Sequence, residues 1–205
     1  MNKNLLVFSG CALALLLTSP AYSAEAPVGP YVSGNFGLAM PRDSESTFSG
    51  FPGITSNTSY DTGWTLGAAL GYNFGNTRVE GEVAYQKTNT DKITLLGTTW
   101  DANGDISSLS YLVNGYYDFT NSSAFTPYLT AGLGFAKIKW TEDNESADDT
   151  VFAYQVGAGV GYALSKNVTL DVKYRYFATA DPKFFDTVNM EFSSHNLLFG
   201  VRVNF

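Results

Sequence analysis

Cysteine is almost absent from this chain of 205 residues: Cys11 is its only one. It falls inside an N-terminal apolar segment, so neither a disulfide framework nor thiol chemistry belongs to the remaining sequence. Histidine is equally scarce. His195 stands alone, which excludes a histidine-rich metal centre. Basic residues are few, 12 against 19 acidic, for a net charge of −7. A nucleic-acid surface is excluded by that balance. Beyond the N-terminal segment no stretch approaches the ~20 continuous apolar residues of a membrane helix. No segment shows sustained helical spacing.

The N-terminal segment reads as an export signal. Lys3 supplies the positive start, Leu5 to Leu17 a short apolar core, and Pro20 breaks the helix. Ala21-Tyr22-Ser23 offers small residues where a signal peptidase reads, placing the cut before Ala24. The organisation expected is a signal peptide over 1–23 and one domain over 24–205. Losing Lys3 leaves 11 basic against 19 acidic residues, a net charge of about −8.

What the chain does have is alternation. Trp64, Leu66, Ala68, Leu70, Tyr72 and Phe74 form one apolar face, over Thr65, Gly67, Ala69, Gly71 and Asn73. Tyr154 to Tyr162 repeats the pattern over Gln155, Gly157, Gly159 and Gly161, and so do Val168 to Tyr176 and Leu197 to Phe205. Eight strands are predicted, over 31–40, 62–74, 77–87, 107–119, 126–140, 152–164, 168–177 and 195–205. The connections alternate. Short ones fall at 75–76, 120–124 and 165–167, long polar ones at 41–61, 88–106, 141–151 and 178–194. Short turns on one side and long loops on the other point to a membrane-spanning barrel with both termini on the short-turn side.

Alternation alone also fits a soluble barrel that faces its apolar residues inward. Aromatic placement decides for the membrane: Trp64 and Tyr72-Phe74 bracket aliphatics, as do Tyr154 and Tyr162. Two aromatic girdles flanking a lipid band have that form. The opposite face carries mid-strand charges: Arg78, Glu80 and Glu82, then Asp118, then Asp171, Lys173 and Arg175, then Arg202. These eight are the candidate site, a balanced network inside the barrel. Fold class is therefore all-β, an eight-stranded antiparallel up-and-down transmembrane barrel.

Several stretches resemble the small eight-stranded outer-membrane barrels of the opacity-protein and outer-membrane-protein-A type. They are Asn114-Gly115-Tyr116-Tyr117-Asp118-Phe119, Pro127-Tyr128 leading to Gly132-Leu133-Gly134, Phe152-Ala153-Tyr154-Gln155, Tyr174-Arg175-Tyr176-Phe177, and Gly200 to Phe205. The resemblance implies a Gram-negative outer-membrane location. It also implies that the terminal strand, through Val201, Val203 and Phe205, is read by the β-barrel assembly machinery. Leu198 stands where that pattern prefers a polar residue, and no peptidoglycan-binding domain is expected after Phe205.

Other motifs point to less. Gly157-x-Gly159-x-Gly161 lacks the turn and helix of a phosphate loop and reads as packing of a narrow interior. Asp101-x-Asn103-x-Asp105 lacks the sixth-position glycine of a calcium loop. Glu142, Asp143, Glu145, Asp148 and Asp149 form an acidic segment, read as a solvated tip or as a bridge through divalent cations to lipid phosphates. Glu191, Ser193 and His195 do not make a working triad, because one strand cannot bring all three into mutual reach.

The expected protein is non-enzymatic and needs no cofactor. Loops act as its binding surface, and Phe48, Phe51, Trp100, Phe184 and Phe185 either pack the loops together or serve as contact anchors. A narrow gated channel and a lipid A-modifying enzyme are the alternatives. Expected partners are outer-membrane lipid and lipopolysaccharide, the assembly machinery, and an unidentified surface ligand reached through the loops. No nucleic acid is expected to bind, and the barrel is expected to be a monomer.

Overall fold

The computed structural model describes residues 27–42, 44–48, 55–95, 98–101, 104–142, 145–180, 183–184, 188–190 and 192–205. Of these, 44–48, 55–60, 90–95, 98–101, 142, 145–147, 183–184 and 188–190 are described by backbone alone.

Eight long strands form the wall: β1 (Gly29–Pro41), β2 (Gly63–Asn73), β3 (Thr77–Leu95), β4 (Gly104–Asp118), β5 (Phe125–Glu142), β6 (Glu145–Ala163), β7 (Val168–Thr179) and β8 (Ser193–Asn204). Each pairs antiparallel with its sequence neighbours. β1 then pairs with β8 from Tyr31↔Asn204 to Pro41↔Ser194, which closes the barrel. Closure lets the wall pair its backbone groups without water, as a hydrocarbon environment demands.

Local chemistry sets the three short turns. Between β2 and β3, Gly75 takes φ +103°, a left-handed conformation that suits glycine, while the Phe74 amide donates to the Thr77 carbonyl at 2.8 Å. Asn121 organises the β4–β5 turn: its Nδ2 donates to the Phe125 carbonyl at 2.9 Å, and its Oδ1 accepts from the Ser123 amide at 2.8 Å. Ser165 Oγ accepts from the Val168 amide at 3.1 Å between β6 and β7.

The wall is apolar outside. Leu70, Val83, Val113, Leu133, Val156, Val172 and Phe199 all lie exposed on its outer surface. Aromatics ring both ends of this band. At the short-turn end Tyr72 packs near Phe74, Tyr117 near Phe119, and Phe125 near Tyr162, with ring centroids 4.7–5.1 Å apart. At the other end lie Trp64 and Tyr85, 5.4 Å apart, with Tyr111, Phe135, Phe152 and Tyr154. Such girdles mark the two bilayer interfaces.

The outer connections differ from the sequence expectation. β3 runs on to Leu95 rather than stopping at 87, and β5 and β6 meet in a tight hairpin, with Glu142 opposite Glu145. The 141–151 segment, expected as a long loop, is therefore mostly strand. Short strands Ser44–Phe48, Thr55–Tyr60, Thr98–Asp101, Lys183–Phe184 and Val188–Met190 occupy the other connections. Polar residues fall at both parities in Thr88-Asn89-Thr90-Asp91, so no apolar alternation marks the β3 extension. Threonine-rich sequence such as Thr88-Asn89-Thr90 still suits a strand.

Candidate functional site

Residues of even number on β3, β4 and β5, and of odd number on β1, β2, β6 and β7, point into the barrel. All eight predicted charges have that parity, or its counterpart on β8. Arg78, Glu80, Glu82, Asp118, Lys173, Arg175 and Arg202 are buried, and Asp171 nearly so.

Two ion pairs lie near the short-turn end. Arg78 Nε and Nη2 donate to the two carboxylate oxygens of Asp118 at 2.7 and 2.9 Å, a bidentate clamp. The same guanidinium lies 4.1 Å from the centre of the Tyr116 ring and 5.0 Å from that of Tyr128. Arg202 Nε and an Asp171 oxygen stand 3.6 Å apart, an ion pair too long for a hydrogen bond.

The next layer outward links opposite walls. Arg175 Nη1 on β7 donates to Glu82 Oε1 on β3 at 3.0 Å. The other oxygen of Glu82 accepts from Asn114 at 2.7 Å and Gln155 at 3.3 Å. Lys173 reaches a carboxylate through an intermediary. Its ammonium donates to the Tyr116 hydroxyl at 3.2 Å, and that hydroxyl donates to Glu80 at 2.5 Å. Glu80 also accepts from Tyr31 at 2.9 Å. A phenol thus relays between lysine and carboxylate.

Sequence reasoning missed Tyr31, Tyr116, Tyr128 and Asn114 as members of this network. The signal was available, since each has lumen parity within a strand whose outward residues are apolar. Glycine makes room for two of the rings. A side chain at Gly71 would collide with the Tyr31 ring, and one at Gly159 with that of Tyr128. The filled interior leaves a cavity of about 30 Å³ among Glu80, Tyr116, Lys173 and Arg202, room for roughly one water. A larger recess of about 190 Å³ opens at the short-turn mouth, lined by Asn73, Asp118, Thr126 and Arg202.

A second feature was not foreseen. Further outward, Ile106, Leu112, Ala136, Ile138, Ala153, Phe177 and Phe192 form a buried apolar cluster inside the barrel, with Trp140 and Val151 against it. Phe177 rests 5.9 Å above the Arg175 guanidinium, so the two layers touch. Leu198, expected to weaken the terminal-strand pattern, is buried in the barrel interior. On the β8, β2 and β3 side the layer is polar: Thr65 is buried beside Gln86, and Ser194 donates to Gln86 at 3.2 Å.

The remaining candidates separate. Gly157, Gly159 and Gly161 sit within β6, not in a phosphate loop. His195 lies on the outer face, where its Nδ1 is 2.6 Å from the Tyr174 hydroxyl, with Tyr174 and Tyr176 rings alongside. Ser193 is buried, and Glu191 lies outside the described residues. Asp143, Asn103, Phe51 and Phe185 also lie outside them, as do the side chains of Phe48, Trp100, Asp101, Glu142, Glu145 and Phe184. Asp148 pairs with Lys137 at 2.9 Å.

Comparison with known proteins agrees with this architecture. Outer membrane protein PagN of Salmonella typhimurium is 31% identical over 198 residues, covering 82% of each chain. A putative adhesin of Rickettsia conorii, RC1281, is 26% identical over 73% of this chain and 70% of its own. The crystal structure of Neisserial surface protein A superposes with a TM-score of 0.59 at 24% identity, covering 91% of this chain and all of that one, a likeness of fold. Residues 9–205 match the family described as the outer membrane protein beta-barrel domain. This chain belongs to that family: it is a non-enzymatic outer-membrane β-barrel of a Gram-negative surface.

Proposed function

We propose that this barrel is a surface-binding protein of the adhesin kind, with a closed lumen and a recognition platform outside the membrane. One observation carries the reading. Strands from three of the four outer connections join edge to edge in a single sheet: Lys183–Phe184, Val188–Met190, Ser44–Phe48, Thr55–Tyr60, the outer end of β3, and Thr98–Asp101. A sheet is a more rigid base for recognition than separate loops. The name of the Rickettsia relative supports the same reading.

In this reading Arg78, Glu80, Glu82, Asp118, Asp171, Lys173, Arg175 and Arg202 hold the lumen shut and brace the wall. They are not a conduction path. Their balanced charge and the small residual cavity favour a plug over the narrow channel. Residues 1–23 serve as a cleaved export signal. Val201, Val203 and Phe205 serve as the assembly signal, a role that suits the outward-facing, exposed Val201 and Phe205. Lipopolysaccharide surrounds the outer half of the wall, and the barrel acts as a monomer.

The test is attachment. Bacteria displaying the barrel should adhere to cultured epithelial cells more than the empty host does. Replacing 44–60 by a Gly-Ser linker should abolish the difference while a heat-modifiable, folded barrel persists in the membrane. Equal adhesion with and without that segment would overturn the platform.

A further inference from the structure

Five lysine side chains are described. Lys173 is inside the lumen, Lys166 is exposed on the β6–β7 turn, and Lys87, Lys137 and Lys139 share one patch of outer wall. The register brings the three together. Lys87 on β3 is opposite Ser107 on β4, and Ser107 is opposite Lys139 on β5. Lys137 lies two residues along β5. Two strand spacings and two residues of rise put the three backbone positions within roughly 12 Å of one another.

Their level matters. Lys87 is the register partner of Trp64 in the upper girdle. Lys137 is opposite Leu109, itself opposite Tyr85, and one row inward come Val83, Tyr111 and Phe135. Tyr111 and Phe135 are more than half exposed. The patch sets three lysines against Asp105 and Asp148 where lipid head groups lie, an excess of one positive charge, and is apolar just beneath, where acyl chains begin. The opposite wall carries no such group in the row Met40, His195, Tyr176. Asp105 holds Lys87 at 3.3 Å and Asp148 holds Lys137 at 2.9 Å; Asp148 is also the register partner of Lys139, which has no ion pair among the described residues. Those pairs are one-third to one-half exposed, and a phosphate dianion competes for lysines held at the surface.

We propose that Lys87, Lys137 and Lys139 form a docking site for the phosphorylated head group of an outer-leaflet lipid, whose acyl chains lie over Leu109, Tyr111 and Phe135. The inference goes beyond the loop-binding reading and does not depend on it. Cations beside a membrane surface attract anionic lipid by about 1 kcal/mol each, a factor of about 5.

The experiment is native mass spectrometry of the refolded full barrel in detergent. It is mixed with equal amounts of bis-phosphorylated lipid A and the same lipid dephosphorylated. Wild type should retain the phosphorylated form preferentially. Each lysine changed to glutamine should lower that preference by about 5-fold, and the triple variant should lose most of it. Lys166→Gln should change nothing. Heat-modifiable mobility checks that each variant is folded, so failure here is distinguishable from loss of the barrel or of adhesion. No preference in wild type, an unchanged preference in the triple variant, or an equal loss in Lys166→Gln would each overturn the site.

Discussion

The inside of this barrel is built twice, in two chemistries. The half toward the short turns is charged and hydrogen-bonded: Arg78 with Asp118, Arg175 with Glu82, Lys173 through Tyr116 to Glu80. The half toward the outer surface is, on its β4–β7 side, an ordinary apolar core of Ile106, Ile138, Phe177 and their neighbours. The lower layer holds opposite walls together by directional pairs that tolerate no missing partner. The upper layer fills space, and its cost of damage scales with the cavity left behind. Closure of one tube by both means makes each layer a backup for the other.

That comparison can be broken most sharply by conductance. Planar-bilayer recordings of refolded wild type should be silent. Glu82→Ala with Arg175→Ala should stay nearly silent, because the apolar layer above is intact. Phe177→Ala alone should also stay silent. Only the three changes together should open a stable pathway. Large openings in either partial variant would show that one layer alone is the seal.

Stability separates the layers next. Glu82→Ala leaves the Arg175 guanidinium buried without its carboxylate and should cost about 3–5 kcal/mol. Urea unfolding in vesicles measures it. The double change Glu82→Leu with Arg175→Leu should recover much of the loss. In the upper layer Ile138→Ala should cost about 2–5 kcal/mol, and no second substitution of opposite sign should rescue it. Rescue behaviour therefore distinguishes the two layers even where the single costs overlap.

The smallest effect belongs outside. Lys137→Ala breaks an exposed pair with Asp148 and should change unfolding free energy by less than about 1 kcal/mol. A larger loss would mean that the outer ends of β5 and β6 depend on charge more than on their ladder.

Strand parity made much of this legible from the residues. Leu70 outside and Glu82 inside follow from alternation, and eight strands with three short turns follow from counting it. The charged layer was visible because charges at period two cannot face lipid. Its phenols were not, since Tyr31, Tyr116 and Tyr128 look like girdle aromatics until their parity is checked. The apolar layer hid for a related reason. Where Ile106 and Ile138 point inward their outward neighbours are polar, Asp105 with Ser107 and Lys137 with Lys139, so the apolar residues no longer mark the lipid face. The outer extension of β3 hid differently: from Thr88 to Lys92 polar residues fall at both parities, and the pattern that betrays a strand in lipid vanishes.

The β5–β6 hairpin turns back at Glu142 and Glu145 without joining the sheet shared by the other outer connections. Foreign sequence grafted between those two residues would strain none of the ladders linking the others. Changes within 44–60 or 183–190, by contrast, are mechanically coupled, so variation in one is constrained by what the next can pair with. The barrel therefore offers one site for peptide display at little structural cost, and three connections that can diversify only in concert.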